Sequence, residues 1–153
     1  MLHKILELST LKQVDKKKLK ELIEGGFNKK LIDNYFDLLS NLKKIFLEED
    51  YKGVAIILDV EGSNYLDKLV VHPDYQGNGL GKRLFKVSLE YSQNKGFFWR
   101  ASSQNPFNEW YKKQLNGNGE YLQVNDWTVY LVNVPTQKRE KLISYAVTKT
   151  RTI

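Results

Sequence analysis

Apolar positions along the chain recur sometimes at every second residue and sometimes at every third or fourth, the periods of strands and helices. His3 to Leu8 has the length and apolar content of a short strand. Asp15 offers an N-cap to a helix running toward Gly25-Gly26, a pair suited to ending it, with Leu19, Leu22 and Ile23 on its inner face. Leu31, Ile32, Tyr35, Phe36, Leu39 and Leu42 recur at helical spacing and predict a second helix. Lys44 to Leu47, Val54 to Asp59 and Tyr65 to Val71 read as strands, separated by turns at Glu48-Glu49-Asp50 and Glu61-Gly62-Ser63-Asn64. Leu80, Leu84, Val87 and Tyr91 line one face of a helix from Leu80 to about Tyr91. Phe97-Phe98-Trp99 opens a buried strand, Asn105 to Gln114 predicts a short helix, Asn116-Gly117-Asn118-Gly119 a loop or hairpin turn, and Trp127 to Val134 a strand. The basic stretch Thr136 to Ile153 shows no clear element. With no repeat, low-complexity tract or linker, residues 1–153 read as a single mixed α/β domain.

Composition narrows the classes. A chain of 153 residues with 41% hydrophobic and 12% aromatic content carries enough apolar surface for a folded core and is not a disordered segment. No apolar run approaches the ~20 residues of a membrane span. Met1-Leu2-His3-Lys4-Ile5 has neither a long apolar core nor an arginine-rich amphipathic stretch, so no targeting peptide is expected. The absence of cysteine excludes disulfides, thiolate metal ligands and a cysteine nucleophile, and agrees with a reducing, cytoplasmic setting. The net charge of +6 calls for an anionic partner, and nucleic acid, an anionic membrane surface or a polyanionic small molecule would each serve. Lys16-Lys17-Lys18 and Lys20 read as the solvated face of the first helix.

The chemistry concentrates in Leu69-Val70-Val71-His72-Pro73-Asp74-Tyr75-Gln76-Gly77-Asn78-Gly79-Leu80-Gly81-Lys82. An apolar strand ends at a proline, and a glycine-rich turn opens an amphipathic helix. Glycines let backbone approach a ligand, and the first turn of a helix presents unpaired N–H groups to an anion. The segment is a pyrophosphate seat, but not of the common nucleotide types. A mononucleotide loop needs four residues before its Gly-Lys pair and then Ser or Thr, whereas three separate Gly77 from Gly81 and Arg83 follows Lys82. The dinucleotide pattern requires glycine where Lys82 stands. His72, beside the loop, is given no chemical role.

Gln-x-x-Gly-x-Gly at Gln76, Gly79 and Gly81, directly after Val-Val-x-Pro, resembles the coenzyme A loop of the GCN5-related N-acetyltransferase superfamily. The resemblance implies an α/β fold with a mixed, mainly antiparallel sheet flanked by helices, with acetyl-CoA held by Val70, Val71, Gln76, Gly77, Asn78, Gly79, Leu80, Gly81 and Lys82. Tyr65-Leu66-Asp67-Lys68, then Phe97-Phe98-Trp99-Arg100, then Asn105-Pro106-Phe107-Asn108-Glu109-Trp110-Tyr111 resemble the acetyltransferase domain of vertebrate-type N-acetylglutamate synthases and bifunctional synthase/kinases. That narrower resemblance runs from about Ile23 to Val132 and implies transfer of acetyl to the α-amine of L-glutamate, a step of arginine biosynthesis. It assigns Lys68, Arg100 and Asn105 to the glutamate carboxylates, places Tyr111 beside the thioester, and gives Lys68 and Tyr111 the catalytic weight. Without it, Lys68 alternates with Leu66 and Val70 and could face solvent, Arg100 could be a surface charge, Asn105 a turn residue and Tyr111 packing. The expected partners are acetyl-CoA and a small amine, with a homo-oligomer or a separate kinase-like subunit as further options; nucleic acid is a lesser alternative, and neither metal nor membrane is expected. Transfer to another amine, or acetyl-CoA binding without turnover, are the competing functions. The family's usual amino-acid-kinase domain has no room in these residues, and Leu115 to Asn125 matches the family loosely.

Overall fold

Strand-forming apolar runs and amphipathic helices set the architecture of the computed structural model, which describes residues 3–153. Its strands are β1 (Ile5–Leu8), β2 (Leu42–Glu48), β3 (Gly53–Val60), β4 (Ser63–Val71), β5 (Phe97–Ser102), β6 (Glu120–Val124) and β7 (Trp127–Val132), and its helices are α1 (Lys16–Phe27), α2 (Leu80–Tyr91), α3 (Asn108–Leu115) and α4 (Arg139–Thr148). The strands hydrogen-bond in the order β1-β2-β3-β4-β5-β7-β6, one mixed, mainly antiparallel sheet, as the sequence predicts. The chain resolves into two compact units. Met1 and Leu2, the first two residues of the stretch read for a targeting signal, lie outside the described residues.

Unit 1 comprises Met1–Asp59, Leu66–Tyr91 and Arg151–Ile153. β1 pairs antiparallel with β2, Ile5 opposite Glu48, and β2 with β3, Ile45 opposite Ile56. Val54 to Leu58 are all fully buried, as a strand covered on both faces requires. The Asp15 carboxylate caps α1 by accepting the Lys18 N–H at 3.1 Å. Gly25-Gly26 does not end this helix; it continues to Phe27 and stops at Asn28, in the left-handed conformation with φ 52°. The reason for Gly26 is proximity, since a Cβ there would lie 2.2 Å from Val70 Cγ1 and 3.1 Å from the Val71 carbonyl oxygen.

The second helix predicted from Leu31 to Leu42 is a single 3₁₀ turn, Tyr35–Leu38, and Leu42 already belongs to β2. Leu31, Tyr35 and Leu39 are buried at the expected four-residue spacing. The chain reaches it through tighter turns, the Tyr35 N–H donating to the Ile32 carbonyl at 3.2 Å. Asp33 and Asn34, whose side chains compete with helical backbone bonds, sit where the helix would have started. The predicted acidic turn after β2 is built around Glu48, 1% exposed, which accepts the N–H groups of Asp50 and Lys52 at 2.9 and 3.0 Å.

Unit 2 comprises Val60–Tyr65 and Ser92–Thr150. The start of β4 runs parallel to β5, with Asn64 opposite Phe97 and Tyr65 opposite Phe98. β5 pairs antiparallel with β7 from Phe97–Val132 to Ser102–Trp127, and β7 with β6 across the Asn125-Asp126 turn. Ser63 and Asn64, expected in a turn, are the first residues of β4. α3 begins at Asn108, three residues later than expected, because Asn105-Pro106-Phe107 forms a turn of its own. β6 escaped the sequence reading because it is a largely exposed edge strand without clear alternation. α4 escaped it because only Leu142 and Ala146 are buried and no side chain caps its start. Four asparagines take the left-handed conformation at element ends: Asn28 after α1, Asn116 after α3, Asn125 in the β6–β7 turn, and Asn133, which stops β7 two residues short of the expected Val134.

Candidate functional site

In unit 1 the strand-loop-helix segment has the geometry its glycines suggest. β4 ends at Val71, a 3₁₀ turn occupies Pro73–Tyr75, and α2 begins at Leu80. Gly77 and Gly79 have φ of 85° and 83°, conformations that side chains oppose, and no atom lies within 4 Å of a Cβ built on either. Gly81 packs against Val71, its Cβ position 3.4 Å from Val71 Cγ2. Gln76 is tied to the strand it follows, its Nε2 donating to the Val71 carbonyl at 3.1 Å. The loop is therefore held by its polar side chain and opened by its glycines. The first backbone bond of α2 is Arg83 N–H to Gly79 C=O at 3.0 Å, so the N–H groups of Leu80, Gly81 and Lys82 precede the helical ladder. Asn78 and Lys82 are exposed beside them, and Val70 and Leu80 are buried beneath. Open space over left-handed glycines, aligned donors and a nearby ammonium suit a diphosphate group. His72 is a local cap, its Nδ1 accepting the Asp74 N–H at 3.1 Å.

Lys68, also in unit 1, does not face solvent as strand alternation alone would have it. It is 5% exposed. Its Nζ donates to Thr152 Oγ1 at 2.7 Å and to the Asp67 carboxylate at 3.3 Å, and lies 4.9 Å from the centre of the Tyr35 ring. Tyr35 donates its hydroxyl to the same carboxylate at 2.6 Å. A buried ammonium is tolerated only where it is paired and hydrogen-bonded, and Asp67, Tyr35 and Thr152 provide that environment. Asp67 adjoins Lys68 in the motif, whereas nothing in the sequence pointed to Tyr35 or Thr152.

In unit 2, Arg100 leaves β5 to hold the end of α4. Its Nη1 donates to the carbonyls of Ala146 and Lys149 at 2.9 and 2.5 Å, and its guanidinium stacks 3.8 Å from the centre of the Trp127 ring. Cation and helix C-terminus are electrostatically matched. Asn105 serves its own turn, with Oδ1 accepting the Phe107 N–H at 2.8 Å. Tyr111 on α3 packs in an aromatic cluster with Trp99 and Tyr130, at ring distances of 5.5 and 5.3 Å, while Trp99 and Tyr130 stack at 5.0 Å. Tyr130 is fixed by donating to Asn108 Oδ1 at 2.7 Å, and Asn108 in turn donates to the Ser102 carbonyl at 2.9 Å. Burial pushes the Tyr111 phenol up to about 12, and burial likewise raises that of Tyr130. Asn108 stands inside the motif but was not singled out; Tyr130 lies on a strand that gave only alternation. Among the described residues no helix is long and apolar enough to cross a membrane.

The mixed sheet, with a glycine loop between β4 and α2, is the fold of the GCN5-related N-acetyltransferases. An acetyltransferase of that family from Staphylococcus aureus superposes with a TM-score of 0.62 at 15% identity, covering 86% of this chain and all (100%) of the other. Sequence goes further: the chain belongs to the N-acetyltransferase (NAT) domain family of N-acetylglutamate synthase, which it matches over residues 6–149. It is 42% identical over 113 residues to a mitochondrial amino-acid acetyltransferase of Lodderomyces elongisporus, covering 69% of this chain and 19% of that protein. It is 34% identical over 120 residues to the mitochondrial N-acetylglutamate synthase of Homo sapiens, covering 76% of this chain and 22% of that protein. The chain thus spans about a fifth of the length of these two relatives. It is an acetyltransferase domain of this type, related to the synthase.

Proposed function

We propose that this domain transfers acetyl from acetyl-CoA to the α-amine of L-glutamate, giving N-acetylglutamate and free CoA. The observation that carries the reading is the match over residues 6–149 to the synthase's own transferase domain. Gln76 to Lys82 hold the diphosphate of the coenzyme through backbone N–H groups and the Lys82 ammonium. Backbone N–H groups at the end of β4, beside Val70 and Val71, polarise the thioester carbonyl. Lys68, Arg100 and Asn105 receive the carboxylates of glutamate, a task suited to an ammonium, a planar guanidinium and an amide. The amine nitrogen forms its bond to the acetyl carbon as the carbon–sulfur bond breaks. The α-ammonium first gives one proton to water so that its nitrogen can attack, the leaving thiolate takes the Tyr111 phenolic proton, and the second proton shed by the nitrogen as the amide forms returns to the phenolate. The Tyr111 phenol, which burial pushes up to about 12, carries its proton at neutral pH as an ordinary tyrosine also does. With no cysteine in the chain, an acetyl-cysteine intermediate is not available, and transfer is direct.

A second reading, transfer to an amine without carboxylates, is favoured by one observation: Lys68 and Arg100 both have protein oxygens as partners. The test is free-thiol release from acetyl-CoA with a panel of amines. Release that depends on L-glutamate supports the first reading, and release with a polyamine or another amino acid alone supports the second. No release with any amine points to a coenzyme-binding module.

A further inference from the structure

The segment that follows α4 supplies oxygen atoms to both cations proposed to receive the acceptor. In unit 2 the Lys149 carbonyl accepts from Arg100, beside that of Ala146. In unit 1 the Thr152 hydroxyl accepts from Lys68 at 2.7 Å, a shorter contact than those to the Asp67 carboxylate at 3.3 Å and the Asp67 carbonyl at 3.4 Å. Thr152 is 6% exposed, and its carbonyl accepts the Ile32 N–H at 3.0 Å, so the segment is fastened where it meets the ammonium.

These partners differ in how readily a ligand could replace them. Asp67 is the residue before Lys68, carries full charge and is also held by Tyr35, so it stays with the ammonium. Thr152 and Lys149 contribute only neutral oxygens. A bond from an ammonium to a carboxylate carries charge on both partners, whereas one to a hydroxyl carries it on the donor alone, so the carboxylate is the stronger acceptor. A carboxylate offered to Lys68 therefore replaces Thr152 first.

We propose that the Thr152 hydroxyl stands in for an acceptor carboxylate at Lys68, and that it sets acceptor affinity by competing for that ammonium. This inference rests on the glutamate reading above. Thr152 is a positioning residue: it touches neither the acetyl group nor the amine and acts only through Lys68.

The test compares wild type with Thr152→Val, which keeps the branched shape and deletes the acceptor, and with Thr152→Ser, which restores the hydroxyl. In steady-state thiol release with L-glutamate, Thr152→Val should lower the glutamate KM about tenfold, the lower end of the worth of a hydrogen bond to a charged group. The acetyl-CoA KM and kcat should stay put, and Thr152→Ser should return the wild-type glutamate KM. In wild type, saturating L-glutamate with CoA should speed hydrogen exchange at the Ile32 amide, whose acceptor is the Thr152 carbonyl. Glutamate-dependent release whose KM is unmoved or raised by Thr152→Val overturns the competition and leaves the acceptor reading standing. Release from Thr152→Val but not from wild type supports both. No release with glutamate from either protein overturns the acceptor reading and the competition together. Should Thr152→Val fail to fold, Ile32 exchange in wild type decides alone: faster exchange with glutamate supports the competition and unchanged exchange overturns it.

Discussion

The two sets of residues proposed to handle ligands are made of different material. From Val71 to Lys82 the useful groups belong to the backbone: left-handed glycines under open space and helix-start N–H groups, held in place by one side-chain bond from Gln76 to a strand carbonyl. Among the residues proposed to serve the acceptor and the leaving group, Lys68 in unit 1 and Arg100 and Tyr111 in unit 2, the useful groups are side chains, each with partners remote in sequence. Lys68 is held by Thr152, Arg100 by the carbonyls of Ala146 and Lys149, and Tyr111 by rings from β5 and β7. A backbone device constrains residue type at its own positions, since only glycine adopts such φ values without strain. A side-chain device constrains partners that a local motif does not contain.

Five measurements break or sharpen that contrast. The largest effect belongs to Tyr111→Phe, which keeps the ring among Trp99 and Tyr130 and deletes one hydroxyl. A positioned general acid is worth about 10²–10⁴-fold, so kcat should fall by that much while both KM values and Tm barely move. A Phe variant with wild-type kcat would make Tyr111 scaffold.

Arg100→Ala comes next. It should raise the glutamate KM on the order of 100-fold, from the loss of about 2–3 kcal/mol of charge-assisted bonding, with acetyl-CoA affinity unchanged. The same substitution leaves two carbonyls at the end of α4 without their donor, so Tm should fall as well. A lowered Tm with an unmoved glutamate KM would reduce Arg100 to a helix cap and favour the second reading.

Gly26→Ala tests the backbone side of the comparison. Its new methyl would meet Val70 Cγ1 at 2.2 Å, and overpacking of this kind costs about 1–3 kcal/mol, readable as a lower denaturant midpoint. Gly79→Ala meets no atom and should cost about 1 kcal/mol of strain at φ 83°. Its larger effect should appear in calorimetry as weakened acetyl-CoA binding. Unchanged coenzyme affinity would remove this loop from the site.

The smallest effect is in pH dependence. An ordinary tyrosine is half-ionised near pH 10, but Tyr111 holds its proton to about 12, so the phenol remains a donor across that interval. The alkaline limb of kcat from this group should therefore lie above about pH 10. Stability moves the other way. Above about pH 10 the unfolded chain releases this proton while the folded one keeps it, so the group's contribution is full below the unfolded value and is lost as pH climbs toward the folded one. A kcat limb near 10 would show the phenol to be solvated.

How much was legible follows from the same contrast. The loop and α2, with its limits Leu80 and Tyr91, stood in the sequence because glycine, proline and helical periodicity are local signals. Lys68, Arg100, Asn105 and Tyr111 were singled out through resemblance; Asp67, Trp99 and Phe107 stand in the same motifs, but the partners outside them, Thr152, Tyr35, Tyr130 and the carbonyls of Ala146 and Lys149, were not found. Thr152 looks like any polar residue of a basic tail, and α4 buries only Leu142 and Ala146. The expected helix from Leu31 misled because burial every fourth residue is also achieved by one 3₁₀ turn flanked by tight turns. Gly25-Gly26 misled because a glycine that admits a neighbour looks, in sequence, like one that ends a helix.

The left-handed asparagines at 28, 116, 125 and 133 have a consequence for the chain before it folds. Glycine would enter the same conformation more easily, but a chain with glycine at those four places has more disordered states to abandon. Asparagine accepts some strain in the finished structure and in exchange narrows the denatured ensemble around each punctuation point. Part of what keeps this protein folded is thus a restriction on its unfolded form, which no inventory of native contacts would reveal.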